Sequence, residues 1–108
     1  MSWTETHRRW RALQDIESRA NAALRAGEPM DELPWTPAYA EIFGDRDGLA
    51  HALRHRWDQT RRAQLDTDLP EAEVERQWLR LHRRHAGVLR LLARYDADGR
   101  LGGDRVPA

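Results

Sequence analysis

The chain has 108 residues, of which 33% are charged, and its basic and acidic side chains cancel to a formal net charge of zero. A chain of this length buries enough surface for one core without covalent staples. The absence of cysteine excludes disulfides and thiolate metal sites, and the absence of net charge leaves no global field that would attract nucleic acid or an anionic membrane.

The sequence predicts a cytoplasmic protein without a membrane segment. The charged N-terminal stretch lacks the apolar run of a signal peptide. No stretch approaches the roughly 20 apolar residues that a membrane span requires. Every basic residue is arginine, which is typical of a GC-rich bacterial genome and makes arginine abundance weak evidence for phosphate binding.

Apolar residues at helical spacing predict a first helix over about residues 3–26. Trp3 and Trp10 lie on its apolar face, and Glu17 is a polar residue on the same face. Gly27 followed by a proline ends the helix.

The connection that follows contains three prolines and therefore cannot form one long helix. Thr36 before Pro37 predicts the start of a short helix over 37–43, and Gly44 predicts its end. The large apolar residues of this segment indicate that it folds against the other helices; they are Trp35, Tyr39, Ile42 and Phe43.

Two more helices are predicted after this connection, over about 46–65 and 70–95. Asp45 or Asp47 caps the first of them. The second has the clearest apolar stripe in the chain, which advances by four and three residues in turn and consists of Val74, Trp78, Leu81, His85, Val88, Leu92 and Tyr95.

These elements predict an all-α fold, an antiparallel three-helix bundle with an additional short helix in the first connection. We expect one domain over residues 1–95. Residues 96–108 are rich in glycine and aspartate without periodicity, which predicts a flexible C-terminal tail.

Two histidines four residues apart, His51 and His55, have the spacing of metal ligands on one helix face. Asp58 is a third potential ligand of the same weak surface site. The helical phase places the pair away from the apolar residues, and structural zinc sites have four ligands. Solvated side chains on an outer face are therefore the favoured interpretation.

His85 lies in the centre of the apolar stripe, where an imidazole needs a hydrogen-bond partner. Glu17 and Gln64 are the candidate partners. The favoured interpretation is a satisfied histidine that fixes the helix register. The alternatives are a pH-sensitive switch and a small-molecule or metal pocket around His85, Glu17, Trp57 and Trp78.

Residues 76–95 contain six arginines and no acid. Most of them spread over the face opposite the apolar stripe, which makes this face a candidate site for anions or nucleic acid; the candidates are Arg76, Arg80, Arg83, Arg90 and Arg94. The acidic first turn of the same helix and the connection over 27–47, with a net charge of −5, can offset them internally.

The function that the sequence favours is a non-enzymatic helical module that acts through protein contacts, either by self-association or in a small bacterial complex. Five tryptophans and a stripe longer than a three-helix core requires indicate excess apolar surface. We expect no catalytic residues and no cofactor. Anion or nucleic-acid binding is the first alternative, and the pocket around His85 is the second.

Overall fold

A computed structural model describes residues 3–65 and 68–97, which form five helices and no strand. The helices are α1 (Trp3–Arg25), α2 (Pro37–Phe43), α3 (Arg46–Gln64), α4 (Glu71–Arg84) and α5 (Ala86–Ala97). The all-α prediction is confirmed, and the first three helices agree with their predicted bounds to within one residue. Of the predicted flexible tail over 96–108, the first two residues belong to α5, and 98–108 lie outside the described residues.

The starts of α2 and α3 follow from short polar side chains. The Thr36 hydroxyl accepts a hydrogen bond from the backbone N–H of Tyr39 at 3.1 Å. The Asp45 carboxylate accepts one from the N–H of Gly48 at 2.7 Å. Both contacts satisfy a first-turn N–H that has no partner inside its own helix.

The core is assembled from α1, α3, α5 and the first connection. Leu33 in the proline-containing connection is buried, and Met30 and Trp35 pack against the core, which confirms that this segment folds onto the helices. The largest fully buried side chains are Ile16, Leu49, Leu53, Val88 and Leu91. In contrast, Leu81 is the one buried residue of α4, so this helix lies mostly on the surface.

The predicted single helix over 70–95 is wrong, because the chain breaks at His85. The backbone there has φ −107° and ψ 15°, which ends α4 at Arg84 and starts α5 at Ala86. The Leu89 N–H still donates to the His85 carbonyl at 3.0 Å. The break therefore spans one residue and contains no loop.

Close packing of α5 against α1 begins directly after this break. A Cβ atom added to Gly87 would lie 2.1 Å from the Ala20 carbonyl oxygen, so the two backbones touch where glycine has no side chain. One residue later, the Val88 N–H donates to Asn21 Oδ1 at 2.9 Å. Asn21 thus caps α5 from a neighbouring helix, an interaction of about 1 kcal/mol in typical helix starts.

Helix α1 is at the centre of the packing between helices. The most extensive helix–helix packing is between α1 and α5, and α1 also contacts α2 and α3. The antiparallel three-helix arrangement remains a prediction from the short connections. Within the described ranges, none of the helices is long and apolar enough to cross a membrane.

Gly87→Ala tests whether the α1–α5 contact determines the fold. Helix propensity alone favours alanine by about 1 kcal/mol, whereas forcing a methyl group against the Ala20 backbone costs about 1–3 kcal/mol. We expect a net loss of unfolding free energy of up to about 2 kcal/mol in urea denaturation.

Ala93→Gly is the control, because Ala93 is exposed on the same helix. This variant should lose about 1 kcal/mol through propensity alone. An increase in stability for Gly87→Ala would show that the two backbones are not in contact.

Candidate protein-interaction surface

Four of the five tryptophans and three of the five histidines lie in one connected surface feature. We call it the Trp–His strip. It runs from the start of α1, across α3, to the middle of α4, and it consists of Trp3, His7, Trp10, Glu17, Arg56, Trp57, Trp78, His82 and His85.

The α1 end of the strip is a stack of three rings. The centroids of Trp3 and His7 are 5.8 Å apart, and those of His7 and Trp10 are 6.1 Å apart, with interplanar angles of 25° and 21°. Spacings of four and three residues place these side chains on one face of the helix. Trp3 is 79% exposed and Trp10 is 45% exposed, so the stack presents aromatic surface to solvent.

An ion pair forms the middle of the strip. Arg56 Nε donates to both carboxylate oxygens of Glu17 at 2.9 Å, and both side chains are largely buried. The guanidinium carbon of Arg56 also lies 5.7 Å from the centroid of the Trp10 ring, in the range of a cation–π contact. Glu17, the polar residue on the apolar face of the first helix, is therefore neutralised from α3.

The α4 end contains the second group of rings. Trp57 of α3 is buried and contacts His85 and His82, with centroid distances of 5.4 and 5.1 Å. His82 in turn lies 4.1 Å from Trp78. Its Nδ1 is 3.0 Å from the Trp78 carbonyl oxygen.

Helical spacing among apolar residues predicts core positions for the tryptophans of the helices. Trp57 is buried as this predicts, whereas the prediction is wrong for three others. Trp78 is 38% exposed, and its neighbour Leu79 is 51% exposed. Trp3 and Trp10 are exposed at the other end. Within the part of the chain that the structure describes, no helix covers these side chains. The periodicity located an apolar face correctly, and that face extends beyond the core.

His85 is half-buried, so it lies at the boundary of the core. Its expected carboxylate partner, Glu17, is bound to Arg56, and Gln64 is exposed. Burial lowers the pKa of His85; the Glu17 carboxylate opposes this shift, while the charges of Arg84, Arg56 and His82 add to it. The pKa of His85 therefore lies below its ordinary value.

A groove of about 370 Å³ lies between α1 and α3, beside the α1 end of the strip. We call it the α1–α3 groove. His51 and His55 are exposed, as predicted, and both line this groove. The other lining residues are Thr6, Arg9, Trp10, Leu13, Gly48, Ala52, Arg56 and Gln59, so the lining includes two arginines and no acid.

The structure does not assemble the candidate metal site on α3. Asp58 lies 3.4 Å from Arg61 in an ion pair. Within residues 3–65 and 68–97, there is no group of three or more histidine and acidic side chains close enough to hold a metal ion.

The predicted arginine face is divided by the break at His85. On α4, Arg76 and Arg80 pair with Glu73, and the Arg76 hydrogen bond and charge are the main causes that lower the pKa of Glu73. On α5, Arg90 and Arg94 lie 3.8 and 3.6 Å from Asp31 in the first connection. The acidic first turn of α4 and the acidic first connection, which the sequence indicated as internal partners, therefore both form ion pairs with these arginines.

The remaining arginine of this set, Arg83, is exposed on α4. With Arg90 and Arg94 on a different helix from Arg76 and Arg80, the five candidates do not share one continuous helix face.

The position of His85 predicts a pH dependence of stability. Because its pKa in the folded chain lies below the ordinary histidine value of about 6.5, the unfolded chain binds the proton more readily below that pH. The contribution of the neutral imidazole is fully present above pH 6.5 and decreases as the pH falls. We expect His85→Gln to reduce the loss of melting temperature between about pH 7.5 and pH 5.5.

His51→Gln is the matched control, because His51 is exposed on α3 and should leave the pH profile unchanged. Identical pH profiles for His85→Gln and the unaltered chain would show that His85 does not contribute to the pH dependence of stability.

Comparisons of the chain with models of protein families, with curated proteins and with solved structures found no match. The geometry of the Trp–His strip and of the adjoining groove is therefore the basis for a functional conclusion.

Proposed function

We propose that this protein is a non-enzymatic helical interaction module that self-associates through the Trp–His strip. The observation that carries the proposal is the exposure of Trp3 and Trp10 at one end of the Trp–His strip and of Trp78 at the other. Large aromatic side chains are enriched at the centres of protein interfaces, where they supply much of the binding energy. Leaving this much apolar surface in water is unfavourable by roughly 25 cal/mol per Å².

Charge supports a second copy of the chain as the partner. The formal net charge is zero at pH 7 and the isoelectric point is about 7.0, so two copies do not repel one another through their overall charge. The polar middle of the strip is already neutralised by the Glu17–Arg56 pair. Burial of the strip in a dimer would therefore leave no unpaired charge at this point.

Anion or nucleic-acid binding has weaker support. Four of its five candidate arginines are in internal ion pairs with Glu73 or Asp31. Side chains that are already paired release fewer counterions when they bind phosphate. The pocket proposed around His85 is also disfavoured, because Trp57 packs against the His85 ring and Glu17 is bound to Arg56.

The proposed arrangement of the helices and the proposed cellular compartment rest on the connections and the composition of the chain. An antiparallel three-helix arrangement is supported by the short distance along the chain between the end of α3 at Gln64 and the start of α4 at Glu71. A reducing compartment such as a bacterial cytoplasm is supported by the absence of cysteine.

Trp3→Ala combined with Trp78→Ala tests the role of the strip. Interface tryptophans typically contribute about 2 kcal/mol or more each, so we expect the dimer dissociation constant to rise by at least about 100-fold. Sedimentation equilibrium over a range of protein concentrations measures this change directly.

Trp35→Ala is the matched control, because it removes a tryptophan that lies outside the strip. Trp35 packs against the core and Arg46 lies over its ring. This variant should lower the melting temperature and leave self-association intact. A chain that sediments as a 12.6 kDa monomer at every attainable concentration would refute the proposed function.

A further inference from the structure

We propose that the Trp–His strip pairs with a second copy about a twofold axis, so that the exposed face of α4 in each copy lies in the α1–α3 groove of the other. This inference rests on the proposed function and specifies its partner and geometry. It follows from the charges at the two ends of the strip, which have opposite character.

The groove end carries hydrogen-bond donors and a guanidinium group that has no acidic partner among its lining residues. Arg9 supplies this guanidinium, His51 and His55 supply two imidazoles, and the charge of Arg56 is balanced by Glu17. No acidic side chain lines the groove. The Trp10 ring and the apolar side chain of Leu13 complete the lining. A fitting occupant therefore carries carboxylates beside an apolar surface.

The α4 end has this chemistry. Glu71, Glu75, Trp78 and His82 follow one another at spacings of four, three and four residues, which places them on one face of α4. Glu71 and Glu75 are exposed, and within the described residues neither carboxylate has an ion pair or a hydrogen bond. Glu73, in contrast, is held by Arg76 and Arg80 on another side of the helix.

A twofold interface requires one surface to complement itself, and the strip meets this requirement. The groove adjoins Trp10 at one end, and the acidic face includes Trp78 at the other. Two copies placed in opposite directions bring each acidic end onto a basic end, with the axis near the neutral Glu17–Arg56 pair. The same contact is then made twice, and the exposed aromatic rings of both ends are covered.

Charge reversal at either end tests this geometry. The first variant carries Glu71→Arg and Glu75→Arg, and the second carries His51→Glu and His55→Glu. Each variant alone places like charges together twice in a homodimer, so we expect its dissociation constant to rise about tenfold or more.

A mixture of the two variants is the decisive measurement. In the heterodimer, the arginines introduced on α4 of the first variant face the glutamates introduced in the groove of the second. The unaltered α4 of the second variant faces the unaltered groove of the first. We therefore expect the mixture to form a heterodimer close to the original affinity, measured by sedimentation with one variant labelled at its C-terminus.

Arg83→Glu is the control, because Arg83 is exposed on α4 away from the acidic face. It should leave self-association unchanged. Circular dichroism and melting curves that match those of the unaltered chain show that each variant is folded.

The outcomes separate this inference from the function on which it rests. A dimeric unaltered chain whose affinity is insensitive to both charge reversals would overturn the α4–groove pairing and leave self-association standing. Weakened variants that fail to recover on mixing would also overturn the pairing. A monomeric unaltered chain would refute self-association itself.

Discussion

The contact between the backbones of α1 and α5 determines where the other elements lie. It requires glycine at position 87, and it places the Val88 N–H on the Asn21 side chain. Helical geometry is interrupted at His85, just before this contact, and α4 on the other side of the break has Leu81 as its one buried residue. Trp78 and Leu79 are exposed on this helix, while α5 is packed into the core.

The surface that results combines apolar ends with a polar middle. Glu17 and Arg56 satisfy one another across α1 and α3, while rings on either side stay partly in solvent. An interface built on such a surface gains apolar burial without having to desolvate an unpaired charge. The histidines between the tryptophans make the strip amphipathic, which keeps a large aromatic area compatible with a solvated monomer.

Local signals allowed the sequence to predict most of the helices, and tertiary contacts explain the rest. Thr36, Asp45 and Gly44 act within their own turns, so α2 and α3 have the expected bounds. The break at His85 was missed because a one-residue irregularity preserves the alternation of four and three residues in the stripe. Gly87 was the available signal. The exposed tryptophans were misassigned because periodicity identifies an apolar face and does not show what covers it.

The pairing of Asn21 with Val88 joins residues that are 67 positions apart in the chain. The helix that completes the core is thus the last of the five, and the cap that defines its first turn lies in the first helix. An N-terminal fragment therefore lacks the surface that α1 needs, and folding has to close a long loop before the core forms. During synthesis on a ribosome, this order delays stable folding until α5 has emerged.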